Sequence, residues 1–291
     1  MVSLRVIAAP LTVATYNLEF YVDEPTLGTP PKTAEARVLV RESIRRVNPD
    51  VIALEEVGSL SAFQELVASL KAEKIDFPFT EYIQAADTNL HLALMSKLPI
   101  IARRPHTNEN FLFEGRRHHV LRGFTEIDII AERNERVTLI SAHLKSKRQS
   151  FEADQQGLRE EEAAVLRERI DDFFRREPNS KLIVLGDFND DISSRTVRTI
   201  LGKGRTKLFD PRPAERNGDS MPNPNSRYEP RRIFWTHYFA KEESYHRIDY
   251  LFVSPNLRST VDEHESYVLA MPNWGAASDH RPVCVRLNLA D

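Results

Sequence analysis

The stretch "VLGDFNDD", residues 184–191, joins a buried strand to a burst of acid. Leu182, Ile183, Val184 and Leu185 make a short continuous apolar run, the pattern of a strand covered on both faces, and Gly186 closes it. Asp187, Asn189, Asp190 and Asp191 then crowd into five positions. Strands buried in a core do not ordinarily end this way. A calcium loop of EF-hand type would place ligands at Asp187, Asn189 and Asp191. It requires glycine at its sixth position and glutamate at its twelfth, and this chain has Ile192 and Arg198 there.

The same arrangement recurs to either side. "LTVATYN" (11–17) reads as a strand ending in Asn17, with Glu19 two residues on. Val40, Ile44 and Val47 share one helical face, Pro49 stops that helix, and "DVIALEEV" (50–57) begins a strand that finishes in Glu55 and Glu56. A capping box of Ser61 and Gln64 is expected to open the next helix, with Phe63, Leu66, Val67 and Leu70 facing inward. "HLALMS" (91–96) and "RVTLISAHL" (136–144) are further strands, the second carrying His143. Leu158, Val165, Leu166, Ile170, Phe173 and Phe174 repeat at helical spacing over about 152–176, among charges that read as a solvated face. "RIFWTHYF" (232–239), "RIDYLFV" (247–253) and "RPVCVRLNL" (281–289) read as strands; Asp249 lies in the second, and Asp279 and His280 precede the third. This alternation predicts layered α/β architecture in one domain over 1–291, with no repeat or linker. The segment 211–232, rich in Pro, Asn and Arg, is expected to be a long loop, either functional or disordered.

The totals narrow the function classes. Of 291 residues, 41% are hydrophobic and 29% charged, and no apolar run is long enough to span a bilayer. The amino-terminal "MVSLRVIAAPLTVA" carries Pro10 and runs straight into a strand, which makes a poor signal peptide; the compartment stays open. Cys284 is the sole cysteine, so an internal disulfide framework and a multi-thiolate zinc site are excluded, and its "PVCVRL" setting reads as packing. Net charge is −3 and the pI about 6.3, so no global positive field gathers nucleic acid from solution. A polyanion would have to be held locally.

Acids and amides at the ends of neighbouring strands can converge on one rim of a sheet. Oxygen ligands with histidines nearby suit Mg²⁺ or Mn²⁺, hard ions held by one or two carboxylates together with substrate phosphate. Hydrolysing a phosphodiester needs an activated water, neutralisation of charge on the non-bridging oxygens, and help for the leaving oxygen. This set of side chains contains all three.

In order along the chain, "TYNLE", "DVIALEEV", "SAHLKS", "GDFND", "RIDYLFVS" and "SDHRPV" resemble the signature segments of the endonuclease/exonuclease/phosphatase superfamily, over about residues 11–289. The resemblance implies a deoxyribonuclease-I-like four-layer α/β sandwich, with two packed mixed β-sheets flanked by helices. It implies metal contacts from Glu56, with Glu19 and Asp279 assisting, and a Mg²⁺ or Mn²⁺ cofactor. It further implies that Asn17 helps position the nucleophile side, Asp187 orients or deprotonates the attacking water, and Asn189 donates to the phosphate. His280 would contact the scissile phosphate as base or as electrostatic stabiliser, Asp249 would orient it, and His143 would face the phosphate or leaving group. The implied substrate is a phosphodiester, DNA or RNA among the candidates, with no obligate protein partner. A phosphomonoester, a small-molecule or lipid head-group diester, and a catalytically silent binding member are the rival readings.

One residue departs from the pattern: Glu55 stands where the superfamily often has Gln. Alternate residues of a strand face opposite sides, so Glu55 and Glu56 cannot both address one ion without a bulge. Glu55 would lie behind the site or pair on the opposite face. Lys145, Lys147 and Arg148, and Arg227, Arg231 and Arg232, read either as phosphate grips or as solvated charge. Trp235, His237, Tyr238 and Trp274 read as substrate-facing walls or as core, and the adjacent His118 and His119 are expected to point apart rather than share an ion.

Overall fold

The computed structural model describes residues 9–147, 154–216, 227 and 232–289. Strand β1 (Leu11–Tyr21), helix α1 (Ala34–Val47), strand β2 (Val51–Val57) and helix α2 (Leu60–Ala72) come first, followed by β3 (Phe79–Ile83), β4 (His91–Ser96), β5 (Ile100–Arg103) and a hairpin of β6 (Asn110–Phe113) and β7 (Arg116–His119). Then come β8 (Phe124–Ile130), β9 (Arg136–His143), α3 (Gln155–Arg176), β10 (Lys181–Asp187), α4 (Arg195–Leu201) and the short β11 (Ala214–Glu215). A second hairpin, β12 (His237–Phe239) and β13 (Ser244–His246), leads to β14 (Asp249–Val253), β15 (Val261–Val268), α5 (Trp274–Ala277) and β16 (Val283–Leu287).

Among the described residues, two main sheets form. One has the order β11-β15-β16-β1-β2-β4-β3, the other β14-β10-β9-β8-β5, and both mix parallel with antiparallel neighbours. Side-chain alternation sorts the apolar residues into three layers of contact. Tyr16, Leu18, Ile52 and Leu54 pack outward on Ile44 of α1 and on Phe63 and Leu66 of α2. Ile140, Leu182 and Val184 pack outward on Leu166, Ile170 and Phe173 of α3 and on Val197 of α4. Between the sheets, Val13, Val51 and Ala53 meet Leu139, Ile183, Leu185, Leu251 and Val253. The layer order is helix, sheet, sheet, helix, as expected.

Two local readings need correction. The α2 cap is Ser59, whose Oγ accepts from the Ala62 amide at 3.1 Å, while the hydroxyl of Ser61 donates to Asp23. The cap belongs at the residue preceding the first helical turn, and Ser59 holds the extended backbone that a cap needs. Residues 232–239 are not one strand, because only His237–Phe239 pairs in a ladder and Ile233–Trp235 carry none of that regular pairing. Much of the 211–232 segment lies outside the described residues, as do Arg148 and Arg231.

Candidate active site

The inter-sheet layer turns polar at one end, where the strands finish. Counting along the inward face, β1 runs Leu11, Val13, Thr15, Asn17; β2 runs Val51, Ala53, Glu55; β10 runs Ile183, Leu185, Asp187. Register then aligns the ends of the second sheet: Asp187 sits directly opposite His143 of β9 and Asp249 of β14. Side chains that are level in a sheet stand side by side, so three buried polar groups meet in one row. Gly186 makes the row compact. Its φ is +133°, and a Cβ there would lie 2.0 Å from the Ala142 carbonyl oxygen.

Asp187 is the hub. Its Oδ2 accepts from Asn17 Nδ2 across the sheets at 3.0 Å and from Asn189 Nδ2 at 3.3 Å, while Oδ1 accepts the Asn189 amide at 2.8 Å. Asn189 takes a left-handed backbone, with φ 53°, and also donates to the Leu144 carbonyl at 3.0 Å. His143 Nε2 lies 3.6 Å and His280 Nε2 3.9 Å from Asp187 Oδ2. Burial, then the charge of Asp249, pushes the Asp187 carboxyl up to about 7. Burial likewise holds His143 well below the usual imidazole value, with the positive charge of Arg122 adding to it, so His143 is neutral at pH 7.

His280 is arranged in the opposite sense. Burial alone would neutralise it, but Asp249, hydrogen-bonded to Nδ1 at 2.9 Å, outweighs that with the further charges of Asp279 and Asp187, and His280 stands well above its usual value. Asp249 is fixed in turn by Thr236, whose Oγ1 donates to Oδ2 at 2.5 Å and accepts the Asp249 amide at 3.1 Å. Ser278 locks the same segment to the first sheet, its hydroxyl donating to the Asn17 carbonyl at 2.8 Å and accepting the His280 amide at 3.0 Å.

Glu56 reaches the site through its backbone. By alternation it would follow Leu54 toward the helices, but its φ of 57° turns it inward, where β1 and β2 slip out of register beyond Asn17. Its Oε2 accepts the Phe20 amide at 3.1 Å and its Oε1 lies 3.9 Å from His143 Nε2. Glu55 keeps the regular alternation, is fully buried between the sheets and accepts from Thr15 Oγ1 at 2.7 Å. Glu19 sits beside Asp279, accepting its amide at 3.2 Å and pairing with Lys32 at 3.2 Å. Burial raises both Glu56 and Glu19, and Asp279 adds to each. Crowded, desolvated carboxylates whose charge is incompletely balanced fit a divalent cation, and oxygen donors fit Mg²⁺ or Mn²⁺. Asp187, Asp249 and His280 also bring ligand atoms within 4.8 Å of one another.

Comparison with known proteins agrees with this architecture. Residues 14–280 match the Endonuclease/Exonuclease/phosphatase family. This chain belongs to that family. None of the curated proteins matches the sequence. Among solved structures, the human Nocturnin catalytic domain with bound sulfate is similar with a TM-score of 0.63 at 15% identity, covering 95% of this chain and 93% of that one. Truncated Caenorhabditis elegans TDP2 gives 0.61 at 14% identity, covering 96% and 97%. An endonuclease/exonuclease/phosphatase family protein from Leptotrichia buccalis gives 0.63 at 19% identity, covering 95% and 99%. At these identities the likeness is one of fold, the deoxyribonuclease-I-like pair of main sheets flanked by helices.

Within this family member the remaining candidates separate. Trp235 is packed, with the Arg281 guanidinium 3.3 Å from its ring centroid and Tyr245 and Trp274 against it. Tyr238 and Trp274, with Phe239, Lys241, Glu19 and Asp279, line a cleft of about 550 Å³ beside the acids. Lys147 pairs with Asp191 at 2.9 Å, and His118 stacks on Phe111 in the β6–β7 hairpin. Two residues escape sequence reading, Thr236 and Arg122, while Ser278 stands in the quoted "SDHRPV" with no role assigned to it there. Arg122 is buried, its Nε 3.0 Å from Asp87 Oδ2, and its charge acts on both Glu56 and His143. A hydroxyl inside "FWTHYF" and an arginine in "VLRGF" carry no pattern of their own; only the pairing of strands assigns them a place.

Proposed function

We propose that this protein is a divalent-metal-dependent phosphodiesterase that cleaves a P–O bond by direct attack of water. The observation that carries the reading is the convergence of Asp187, His143, Asp249 and His280 at the polar end of the inter-sheet layer. In this reading Asp187, anchored by Asn17 and Asn189, takes a proton from the attacking water. His280, kept positive by Asp249, faces the non-bridging oxygens as an electrostatic stabiliser rather than a base. His143, kept neutral, hydrogen-bonds at the phosphate or leaving group, and Arg122 adds positive potential behind it. Glu56, with Asp279 and Glu19 at hand, would hold Mg²⁺ or Mn²⁺, which when bound neutralises phosphate charge and eases departure of the leaving oxygen.

The aromatic cleft beside Asp279 supports a diester carrying an organic group of small-ligand size, including a nucleotide within DNA or RNA. Hydrolysis of bis(p-nitrophenyl) phosphate, with and without Mn²⁺, tests the proposal, with p-nitrophenyl phosphate as the monoester control. Asp187→Ala and His280→Ala should each lower turnover by at least roughly 10²-fold with the fold intact by circular dichroism. Near-normal turnover in either variant removes its role, and an uncleaved chromogen in the wild type indicates a binding protein. Salt dependence of DNA duplex binding separates the substrates: a steep slope marks several phosphate contacts, and negligible binding at low salt marks a small diester.

A further inference from the structure

Beside the carboxylates around Glu56 lies a cluster of different chemistry, which that function leaves partly unused. His237, the first residue of β12, forms an isolated bridge with His280, and their ring centroids are 4.5 Å apart. Asp279 lies between the two imidazoles: its Oδ2 is 3.5 Å from His237 Nε2 and its Oδ1 is 3.7 Å from His280 Nε2. One ligand atom from each of the three residues lies within 4.8 Å of the others. Tetrahedral ligands at zinc bond lengths stand roughly 3.3–3.5 Å apart, and each imidazole nitrogen lies near that spacing from its own oxygen of Asp279, at 3.5 and 3.7 Å.

We propose that His237, Asp279 and His280 bind one borderline transition-metal ion, best matched by Zn²⁺, and that its occupancy blocks turnover. Two imidazole nitrogens and one carboxylate suit Zn²⁺, whereas Mg²⁺ prefers oxygen ligands and retains its water. The supporting shell is in place for His280. A metal-ligating histidine usually gives its other ring nitrogen to a carboxylate, and His280 Nδ1 is held by Asp249 at 2.9 Å, with Thr236 behind it. His237 has no such support, since its Nδ1 is buried with no hydrogen-bond partner among the described residues, and its Nε2 is the nitrogen that faces Asp279. On binding, His280 releases its Nε2 proton to solvent. The ion takes the His280 nitrogen that faces the phosphate and shares Asp279 with the oxygen-ligand set, so the two occupancies compete.

The binding half of this proposal stands on geometry, and the inhibitory half rests on the phosphodiesterase reading above. The test is a titration of dialysed protein with Co²⁺ and then Zn²⁺ in excess Mg²⁺. One Co²⁺ per chain is expected, with the visible absorption of a low-coordinate ion, displaced by Zn²⁺. His237→Phe keeps the ring stacking and removes both nitrogens, and should weaken Zn²⁺ binding by at least about tenfold. His237→Asn does the same where Phe fails to fold by thermal unfolding, and His118→Ala, in the other hairpin, leaves binding unchanged. Zn²⁺ should also inhibit Mg²⁺-supported hydrolysis in proportion to site occupancy. Absence of a stoichiometric Co²⁺ or Zn²⁺ site, or full affinity in the folded His237 variants, overturns the proposal. A wild type that binds Zn²⁺ yet cleaves no diester would defeat the enzyme reading and leave the metal site standing.

Discussion

Glu55 and Glu56 are chain neighbours with different tasks, separated by one backbone rotation. Glu55 is buried, with Oε2 lacking a hydrogen-bond partner among the described residues, and burial holds its carboxyl well above the ordinary value. A proton bound more tightly in the folded state contributes stability that is complete below about pH 4.5 and is lost as pH rises through the folded value. Glu55→Gln, neutral at every pH, should therefore gain stability relative to wild type between about pH 5 and 8, read as urea midpoints; a relative loss over that range would contradict the assignment. For Asp187 the direction sets the rate profile. Raised by burial and Asp249 to about 7, it carries a proton at lower pH and cannot accept another, so kcat/KM should climb as pH rises toward that value. A bound cation favours the ionised form and shifts the limb downward. A profile with no acidic limb at any pH where the protein stays folded would remove Asp187 as the base. Residue types were legible: Asn17, Glu56, His143, Asp187, Asn189, Asp249 and His280 all stand at this end of the fold. The inward turn of Glu56 was not, because a positive φ at a glutamate leaves no mark in composition or periodicity.

Among the elements, β10 depends most on a single residue. Gly186→Ala would push a methyl onto the Ala142 carbonyl, and the strand must separate from β9 or twist. We expect a loss of about 3 kcal/mol or more in stability and a fall in turnover, since His143 follows Ala142 directly. Denaturant unfolding and the diester assay would measure the two, and a wild-type midpoint would show that the contact relaxes at no cost. Long apolar and periodic segments such as α3, β9 and β10 were readable because burial on a fixed period is what periodicity records. "RIFWTHYF" misled for the same reason: its aromatics are apolar, yet Trp235 packs under Arg281, and Thr236 turns its hydroxyl to Asp249 instead of lying in a ladder.

The molecule as a whole is held at the site by bonds that cross between sheets. Asn17 of β1 donates to Asp187 of β10, and His280, in the segment leading into β16, is hydrogen-bonded to Asp249 of β14. Neither sheet owns a complete constellation, so activity should vanish in the same denaturant transition as far-UV circular dichroism and tryptophan fluorescence. An earlier loss of activity would mean that the rim opens before the core.

That interdependence bears on biosynthesis. β1 pairs on one side with β16, Leu11 facing Leu287, so among the described strands the first waits for the last before that edge is closed. A nascent polypeptide halted before His280 lacks that histidine and leaves one border of β1 uncovered. It should emerge from the ribosome inert and prone to sticking until β16 docks.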